Sequence, residues 1–122
     1  MQPGENTVAM QAFIEAMPGT KLSDAKVSGV RIYKVMGKMF VILSVKGRES
    51  VNLKCDTHLI DILKAQYSGV GHRGHLDHRF WIDIRLDADV PMVQIEGLVQ
   101  ASYALICQGL TKAQRATLAL VN

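Results

Sequence analysis

Three apolar runs separated by short turns lie within residues 31–55 and constrain the fold more than any other part of the chain. In order they read RIYKV, KMFVILSV and SVNLKC. Turns at 36–37 and 46–49 between such runs predict three antiparallel strands joined in sequence order. The second run is apolar on both faces, which is typical of a central strand. The third alternates with Asn52 and Lys54, which predicts one polar face.

Helical periodicity flanks this meander on both sides. Residues 6–17 place apolar side chains on one stripe, with Asn6 or Thr7 as the N-cap and Pro18-Gly19 as the stop. Residues 20–30 are polar, and the sequence predicts a loop there. Three more helices are predicted, namely 57–66 capped by Asp56, a long one from Pro91 to about 108 ended by Gly109, and a short one opened by the capping-box pair Thr111 and Gln114.

A fourth strand is predicted late in the chain. There Phe80, Ile82, Ile84 and Leu86 alternate with Trp81, Asp83 and Arg85. Alternation of this kind indicates a half-buried strand, with the second set facing solvent. The elements follow the order helix, three strands, helix, one or two strands, helix, helix. The expectation is one α+β domain, residues 1–122, with helices packed on an antiparallel sheet.

Composition supports a folded domain. The chain has 122 residues, 48% of them hydrophobic and 20% charged, which is typical of a globular protein. No apolar run reaches the roughly 18–20 residues that a membrane helix needs. The first residues, MQPGENTVAMQAF, show no secretory signal pattern. We therefore expect a cytoplasmic protein without a membrane partner.

Positive charge is concentrated in the meander. The net charge of the chain is +3, yet residues 31–54 alone carry +5. The six basic residues of that segment are Arg31, Lys34, Lys38, Lys46, Arg48 and Lys54, opposed only by Glu49. Basic side chains on strands and hairpins can neutralise the phosphates of nucleic acid. The competing interpretation is that they only discourage pairing at sheet edges.

Two groups of residues raise the question of catalysis. The sequence contains no nucleophile elbow, phosphate loop or dinucleotide fingerprint, so no enzyme class is predicted. Cys55 precedes a helix N-terminus and follows Lys54, features that activate a thiol. Its alternation with Val51 and Leu53 instead predicts burial, and buried free thiols are the favoured interpretation of both Cys55 and Cys107.

Histidines cluster in one short segment, His72, His75 and His78. A spacing of three brings side chains together only on a helix. Nearby glycines at 69, 71 and 74 argue against a helix, so solvated loop histidines are favoured and no metal or other cofactor is predicted. A metal site formed by folding of the loop stays open as an alternative.

Several motifs together resemble those of the MmcQ/YjbR family of small bacterial proteins. They are MPGT (17–20), KVMGKMFVILS (34–44), VNLKCD (51–56), HLDHRFW (75–81), ASYAL (101–105) and LTKAQRATL near the end. The resemblance implies an α+β fold like that of type III secretion chaperones, in the order αβββαββα. It also implies that the late strand is split into strands 74–79 and 80–86. The family is described as DNA-binding through a double wing of β-hairpins.

The resemblance can be carried over residue by residue. Motif positions are matched by Lys38, Asn52, Lys54, His75, Arg79 and Trp81. Asp77 and His78 replace an asparagine and a lysine of the family pattern, which lowers the positive charge of one wing. Residues 24–29, DAKVSG, replace the D-F-P-F-G-type segment of the family. The chain is thus expected to be a divergent member.

Three functions remain open at this point. The first is sequence-independent DNA binding by basic hairpins, with contacts from Lys38, Lys46, Arg48, Asn52, Lys54, Arg73, His75, Arg79 and Trp81. The second is a chaperone-like interaction module that presents a sheet edge or groove to a protein partner or to its own copy. The third is a metal-dependent or small-molecule activity at the histidines.

Overall fold

The computed structural model describes residues 4–24 and 28–120. Its helices are α1 (Glu5–Glu15), α2 (Thr57–Gln66), α3 (Met92–Gln108) and α4 (Lys112–Ala119). Its strands are β1 (Thr20–Leu22), β2 (Val30–Val35), β3 (Lys38–Ser44), β4 (Ser50–Lys54), β5 (Val70–Gly71) and β6 (Trp81–Arg85). The strands form one antiparallel sheet in the order β1-β2-β3-β4-β6-β5. The predicted α+β class is confirmed.

The meander has the predicted connections. Ile32 pairs with Ile42, and Ile42 pairs with Asn52, so β3 lies between β2 and β4. The turn from β2 to β3 places Met36 at φ 49° and Gly37 at φ 79°. Positive φ at both positions is the geometry of the tight turns that join twisted antiparallel strands.

A β-bulge interrupts the alternation of β3. Tyr33 pairs with Val41 but Lys34 pairs with Met39, which leaves Phe40 as an extra residue. Both Phe40 and Val41 are therefore fully buried. The Phe40 ring meets the ring of Tyr103 on α3 edge to face, with centroids 5.5 Å apart. A strict two-residue alternation would have sent Phe40 to the opposite side of the sheet from Val41.

One face of the sheet forms the core with the helices. Its fully buried side chains are Tyr33, Val41, Leu43, Val51, Leu53, Ile82 and Ile84. Helix α3 packs against β2, β3 and β4, and α1 packs against α3 and β1. The other face carries Ile32, Ile42, Asn52, Asp83 and the pair Lys54–Trp81. We call this second face the open face.

Local signals placed most helix ends correctly. The Asp56 carboxylate accepts from the His58 amide at 2.8 Å, as predicted for the cap of α2. The capping box of Thr111 and Gln114 is present at the start of α4. The predicted cap of α1 is wrong, because Gly4 holds that position. Asn6 instead donates to the Leu86 carbonyl at 2.9 Å.

Two segments differ from the expectations. Thr20–Leu22 lies in the predicted loop but forms β1, because residues 20, 21 and 22 pair with 35, 34 and 33 of β2. Residues 25–27 of the same predicted loop lie outside the described part of the chain. The implied strand 74–79 is also wrong, since turns fill that segment and β6 pairs with Val70–Gly71 instead. No described helix is long and apolar enough to cross a membrane.

Candidate nucleic-acid interface

A buried carboxylate organises the open face. Asp83 of β6 is 0% exposed, although the alternation of its strand predicts a solvent-facing side chain. Its cross-strand neighbour Asn52 donates to Oδ1 at 3.0 Å. Arg48 of the β3–β4 turn (residues 45–49) donates to Oδ2 and forms a salt bridge with the carboxylate. The prediction that Asp83 faces solvent is therefore wrong, because the Arg48 side chain covers it.

A second arginine lies over the same part of the sheet. Arg73 donates from Nη1 to the Arg48 carbonyl and to the Ser50 hydroxyl, both at 3.1 Å. These bonds hold the segment of residues 72–80, here called the 72–80 loop, against the β3–β4 turn. Arg48, Arg73 and Asp83 together thus carry one net positive charge.

His72 attaches the start of this loop to α2. Its Nδ1 lies 3.1 Å from the Trp81 carbonyl, and its Nε2 lies 3.1 Å from Lys64 Nζ. A carbonyl only accepts hydrogen bonds and an ammonium group only donates them. These partners assign the proton of His72 to Nδ1 and leave Nε2 as the acceptor for Lys64. The ring also stacks on His78, with centroids 4.2 Å apart.

This arrangement does not support the metal alternative. His72 directs its lone pair at an ammonium group, and His75 is exposed in the middle of the loop. Within residues 4–24 and 28–120, no three histidine, cysteine, aspartate or glutamate side chains converge as metal ligands would. The two stacked histidines serve as loop contacts in this geometry.

The end of the 72–80 loop is neutral rather than basic. Arg79 donates from Nε to Asp77 Oδ1 at 3.1 Å and from Nη2 to Oδ2 at 2.8 Å. The hydrogen bonds from Arg79 lower the pKa of Asp77 to about 2. Asp77, one of the departures from the family pattern, therefore neutralises Arg79. The Arg79 guanidinium also lies 5.2 Å from the centre of the Phe80 ring.

The remaining predicted contacts fall into separate places. Lys54 pairs with Trp81 at the far end of β4, and both are half-buried. Lys46 is exposed in the β3–β4 turn. Ser50 and Lys54 are four positions apart, which corresponds to roughly 13 Å along the strand. Lys38 lies apart, because its ammonium donates to the Gly109 carbonyl at the end of α3, at 3.2 Å.

The structure thus brings some predicted residues together and separates others. Arg48, Arg73 and the buried Asn52 share one polar network on the open face, and Lys46 lies two positions before Arg48 in the same turn. The sequence interpretation missed Asp83, the member that connects them. A usable signal was present, since Asn52 and Asp83 are both polar residues at the centre of a strand, each with an apolar neighbour on either side. Such residues favour each other as cross-strand neighbours.

Cys55 does not have the properties of a nucleophile. The residue is 5% exposed, and its burial, followed by the neighbouring Asp56 charge, raises the pKa of the thiol to about 11. The thiolate form is therefore disfavoured, and the predicted burial of Cys55 is confirmed. Cys107 is half-buried, so its predicted full burial is wrong.

We expect iodoacetamide at pH 8 to modify Cys107 well before Cys55, as read by mass spectrometry of the tryptic peptides. Because folding raises the pKa of Cys55 above its ordinary value of 9.0, its contribution to stability is complete below about pH 9. That contribution is lost as the pH rises through about 11. Rapid labelling of Cys55 in the folded protein would contradict this account.

Comparison with known proteins identifies the family of the chain. The sequence profile of the YjbR family matches residues 15–105. The chain belongs to the YjbR family. Uncharacterized protein YjbR of Escherichia coli K12 is 34% identical over 91 residues, which cover 72% of this chain and 75% of that protein. The resemblance drawn from the motifs is confirmed.

Solved structures share the fold of this YjbR-family chain. A Deinococcus radiodurans protein with a DUF419 domain superposes with a TM-score of 0.81 at 22% identity, covering 98% of this chain and 89% of that one. A Pseudomonas syringae protein gives 0.65 at 19% identity, covering 78% and 96%.

Proposed function

We propose that this YjbR-family domain binds DNA without sequence preference through the open face of its sheet. The observation that carries the proposal is the contact between Arg48, whose guanidinium binds the buried Asp83, and Arg73, whose guanidinium donates to the Arg48 carbonyl. Each guanidinium group has five N–H donors, and each uses only one nitrogen in the contacts described above. The remaining donors are available to phosphate oxygens, which planar guanidinium groups bind well.

Electrostatics supports a phosphate partner at this position. Asp83 is fully covered, so solvent meets the two arginines and Lys46 rather than the carboxylate. At the other end of β4, Lys54 adds a cation beside the half-exposed Trp81. The roughly 13 Å between the two ends is comparable to the span of several phosphates along one strand of a duplex.

The proposed mechanism is phosphate neutralisation rather than base reading. Every cation of the proposed surface lies on a strand, a turn or the 72–80 loop, and no recognition helix is among the proposed contacts. Trp81 can stack on an unpaired base, a contact that tolerates any sequence. Asn52 contributes by holding Asp83, and His75 is exposed in the loop nearby. We infer a binding rather than a catalytic role.

The proposed DNA-binding surface is not formed by two β-hairpins, as the double wing of the family would be. The β3–β4 turn is a hairpin tip that carries Lys46 and Arg48, but the 72–80 loop contains no strand after Gly71. Lys38 already donates to the Gly109 carbonyl, and Arg79 already donates to the Asp77 carboxylate. The proposed contact set is accordingly Lys46, Arg48, Lys54, Arg73 and Trp81.

We expect the double variant Lys46→Ala/Lys54→Ala to bind a fluorescein-labelled 16-base-pair duplex about tenfold more weakly at low salt. The slope of log affinity against log salt should decrease by roughly 1.8, because each lost phosphate contact removes about 0.9. The measurement is fluorescence anisotropy over a salt series, with a single strand of equal length in parallel. The lysines are chosen because neither takes part in the Arg73 and His72 hydrogen bonds that hold the 72–80 loop; in the described part of the chain, the one contact of this pair with the loop is Lys54 Nζ, 6.0 Å from the centre of the Phe80 ring.

The matched control is Lys112→Ala/Arg115→Ala, which removes the same charge from exposed positions of α4. This control should bind within about twofold of the parent, since its charges lie outside the proposed surface. Absence of binding at low salt, or an equal loss in the control, would refute the proposal.

A distinct surface, the exposed edge of β1, favours the second candidate function, a protein-interaction module.

A further inference from the structure

Strand β1 is an edge strand of the sheet, since no strand of the described residues pairs with its outer side. It pairs with β2 and lies at the end of the strand order. The Ser23 amide donates to the Ile32 carbonyl at 2.7 Å, so Ser23 and Ile32 form a hydrogen-bonded pair. Because such pairs alternate along antiparallel strands, the N–H and C=O of Leu22 point away from β2. Leu22 therefore offers both backbone groups to another strand.

Two lysines face each other across this edge. Lys21 of β1 pairs directly with Lys34 of β2, on the same face of the sheet. Directly opposed residues have Cβ atoms roughly 4.5–5.5 Å apart, and like charges at that separation are destabilising. Among the residues described, no carboxylate lies within salt-bridge distance of either lysine. An incoming carboxylate would relieve this repulsion.

A cleft follows the same edge. Its volume is about 700 Å³, and its lining includes Lys21, Leu22, Lys34, Met36 and Thr117 of α4. Leu22 is 48% exposed, an unusual value for a large apolar side chain on a strand. Lys21 and Leu22 alternate between the two faces of β1. The edge therefore presents cations on one face and an apolar contact on the other.

We propose that the β1 edge binds an extended peptide whose acidic and apolar side chains alternate. The peptide adds a strand beside β1 and exchanges backbone hydrogen bonds with Leu22. Its acidic side chains lie on the open face beside Lys21 and Lys34, and its apolar side chains contact Leu22. A second copy of the chain fits this edge poorly, because pairing two β1 strands would bring two lysine rows together.

This inference does not depend on DNA binding. Strands β2 and β3 separate β1 from β4, so the edge lies roughly 14 Å from the centre of the proposed DNA surface. Peptide binding is inferred from the outward-facing N–H and C=O of Leu22 and from the facing lysines Lys21 and Lys34. Either proposal can therefore fail while the other stands.

The test uses a fluorescein-labelled nine-residue peptide of alternating glutamate and valine, followed by anisotropy. We expect saturable binding to the full chain, and at least about tenfold weaker binding of the peptide with glutamine in place of glutamate. A peptide with N-methyl groups on the edge that faces β1 should also bind at least about tenfold more weakly, because its amides cannot donate to the Leu22 carbonyl. This arm leaves the protein unchanged, so folding cannot confound it.

Two variants test the protein side. Lys21→Glu/Lys34→Glu should abolish binding, and Leu22→Pro, which removes the outward N–H, should weaken it about tenfold. The control Lys112→Glu/Arg115→Glu changes charge equally on α4 and should bind as the parent does. No binding, equal binding of the glutamine peptide, or full binding of the N-methylated peptide would overturn the proposal. Full binding of the N-methylated peptide would indicate that the lysines bind its carboxylates without strand pairing. No binding at all would indicate that Lys21 only discourages strand pairing at this edge.

Discussion

Replacing Arg48 by methionine is expected to lower the free energy of unfolding by about 2–3 kcal/mol. Removing one partner of a buried ion pair typically costs about 3–5 kcal/mol, because the other charge is left uncompensated. Asp83 is 0% exposed, but the Arg48 side chain is 44% exposed, so water can partly replace it and the lower range applies. The measurement is urea denaturation followed by the fluorescence of Trp81, the single tryptophan of the chain.

A double-mutant cycle separates charge from packing. In an Asp83→Asn background the same Arg48→Met change should cost less than about 1 kcal/mol, because no buried charge remains. Arg85→Met is the matched control, since Arg85 forms an ion pair with Asp87 in which both side chains are largely exposed. It should change stability by about 0.5 kcal/mol or less. Equal effects of Arg48→Met in both backgrounds would show that Asp83 is not held by charge.

Ser102→Ala is expected to cost about 2–3 kcal/mol, although serine and alanine differ by a single oxygen. Ser102 is fully buried on α3, accepts from the Lys54 amide at 3.0 Å and donates to the Phe40 carbonyl at 2.7 Å. The hydroxyl thus bridges β3 and β4 at the bulge, beyond the last regular pair Val41–Leu53. Without it, the buried Phe40 carbonyl and the partly buried Lys54 amide lose this partner, and an unsatisfied buried group costs about 1–3 kcal/mol.

The higher helix propensity of alanine stabilises the Ser102→Ala variant by a few tenths of a kcal/mol. The expected net loss of about 2–3 kcal/mol includes this gain. The control Gln100→Ala lies on the exposed side of the same helix and should change stability by less than about 0.5 kcal/mol. Chemical denaturation of both variants under identical conditions gives the comparison. A loss below about 0.5 kcal/mol for Ser102→Ala would mean that the bridge contributes nothing.

The elements with local signals could be predicted from the sequence. The meander follows from three apolar runs and the turn at Met36-Gly37. The helices follow from apolar stripes and from the caps Asp56 and Thr111. These signals lie within a few residues of the structure they specify, so the fold class was accessible without tertiary information.

The features that depend on distant contacts could not be predicted in the same way. β1 is a strand because β2 pairs with it, not because its three residues favour extended structure. Asp83 is buried because Arg48, 35 positions earlier in the chain, covers it. The Arg73 side chain of the 72–80 loop reaches Arg48 and Ser50, more than 20 positions earlier in the chain, and nothing in the local pattern indicates that contact. The polar network at the candidate site is therefore a tertiary property.

The bulge at Phe40 shows a related limit. The alternation of β3 predicts opposite faces for Phe40 and Val41, but one extra residue in the ladder turns both toward α3. A bulge of this kind changes the face of every residue beyond it. Prediction of the face on which Lys38 of β3 lies requires knowledge of that single position.

Backbone amide chemical shifts, recorded during titration with a 16-base-pair duplex at low salt, test the central claim most directly. Sequence-independent binding through the open face predicts perturbations at residues 46–54 and 72–85. Those shifts should disappear together when salt is raised, because they share one electrostatic cause. Perturbations confined to α1 and α4, or none at any salt concentration, would contradict binding of DNA at this face.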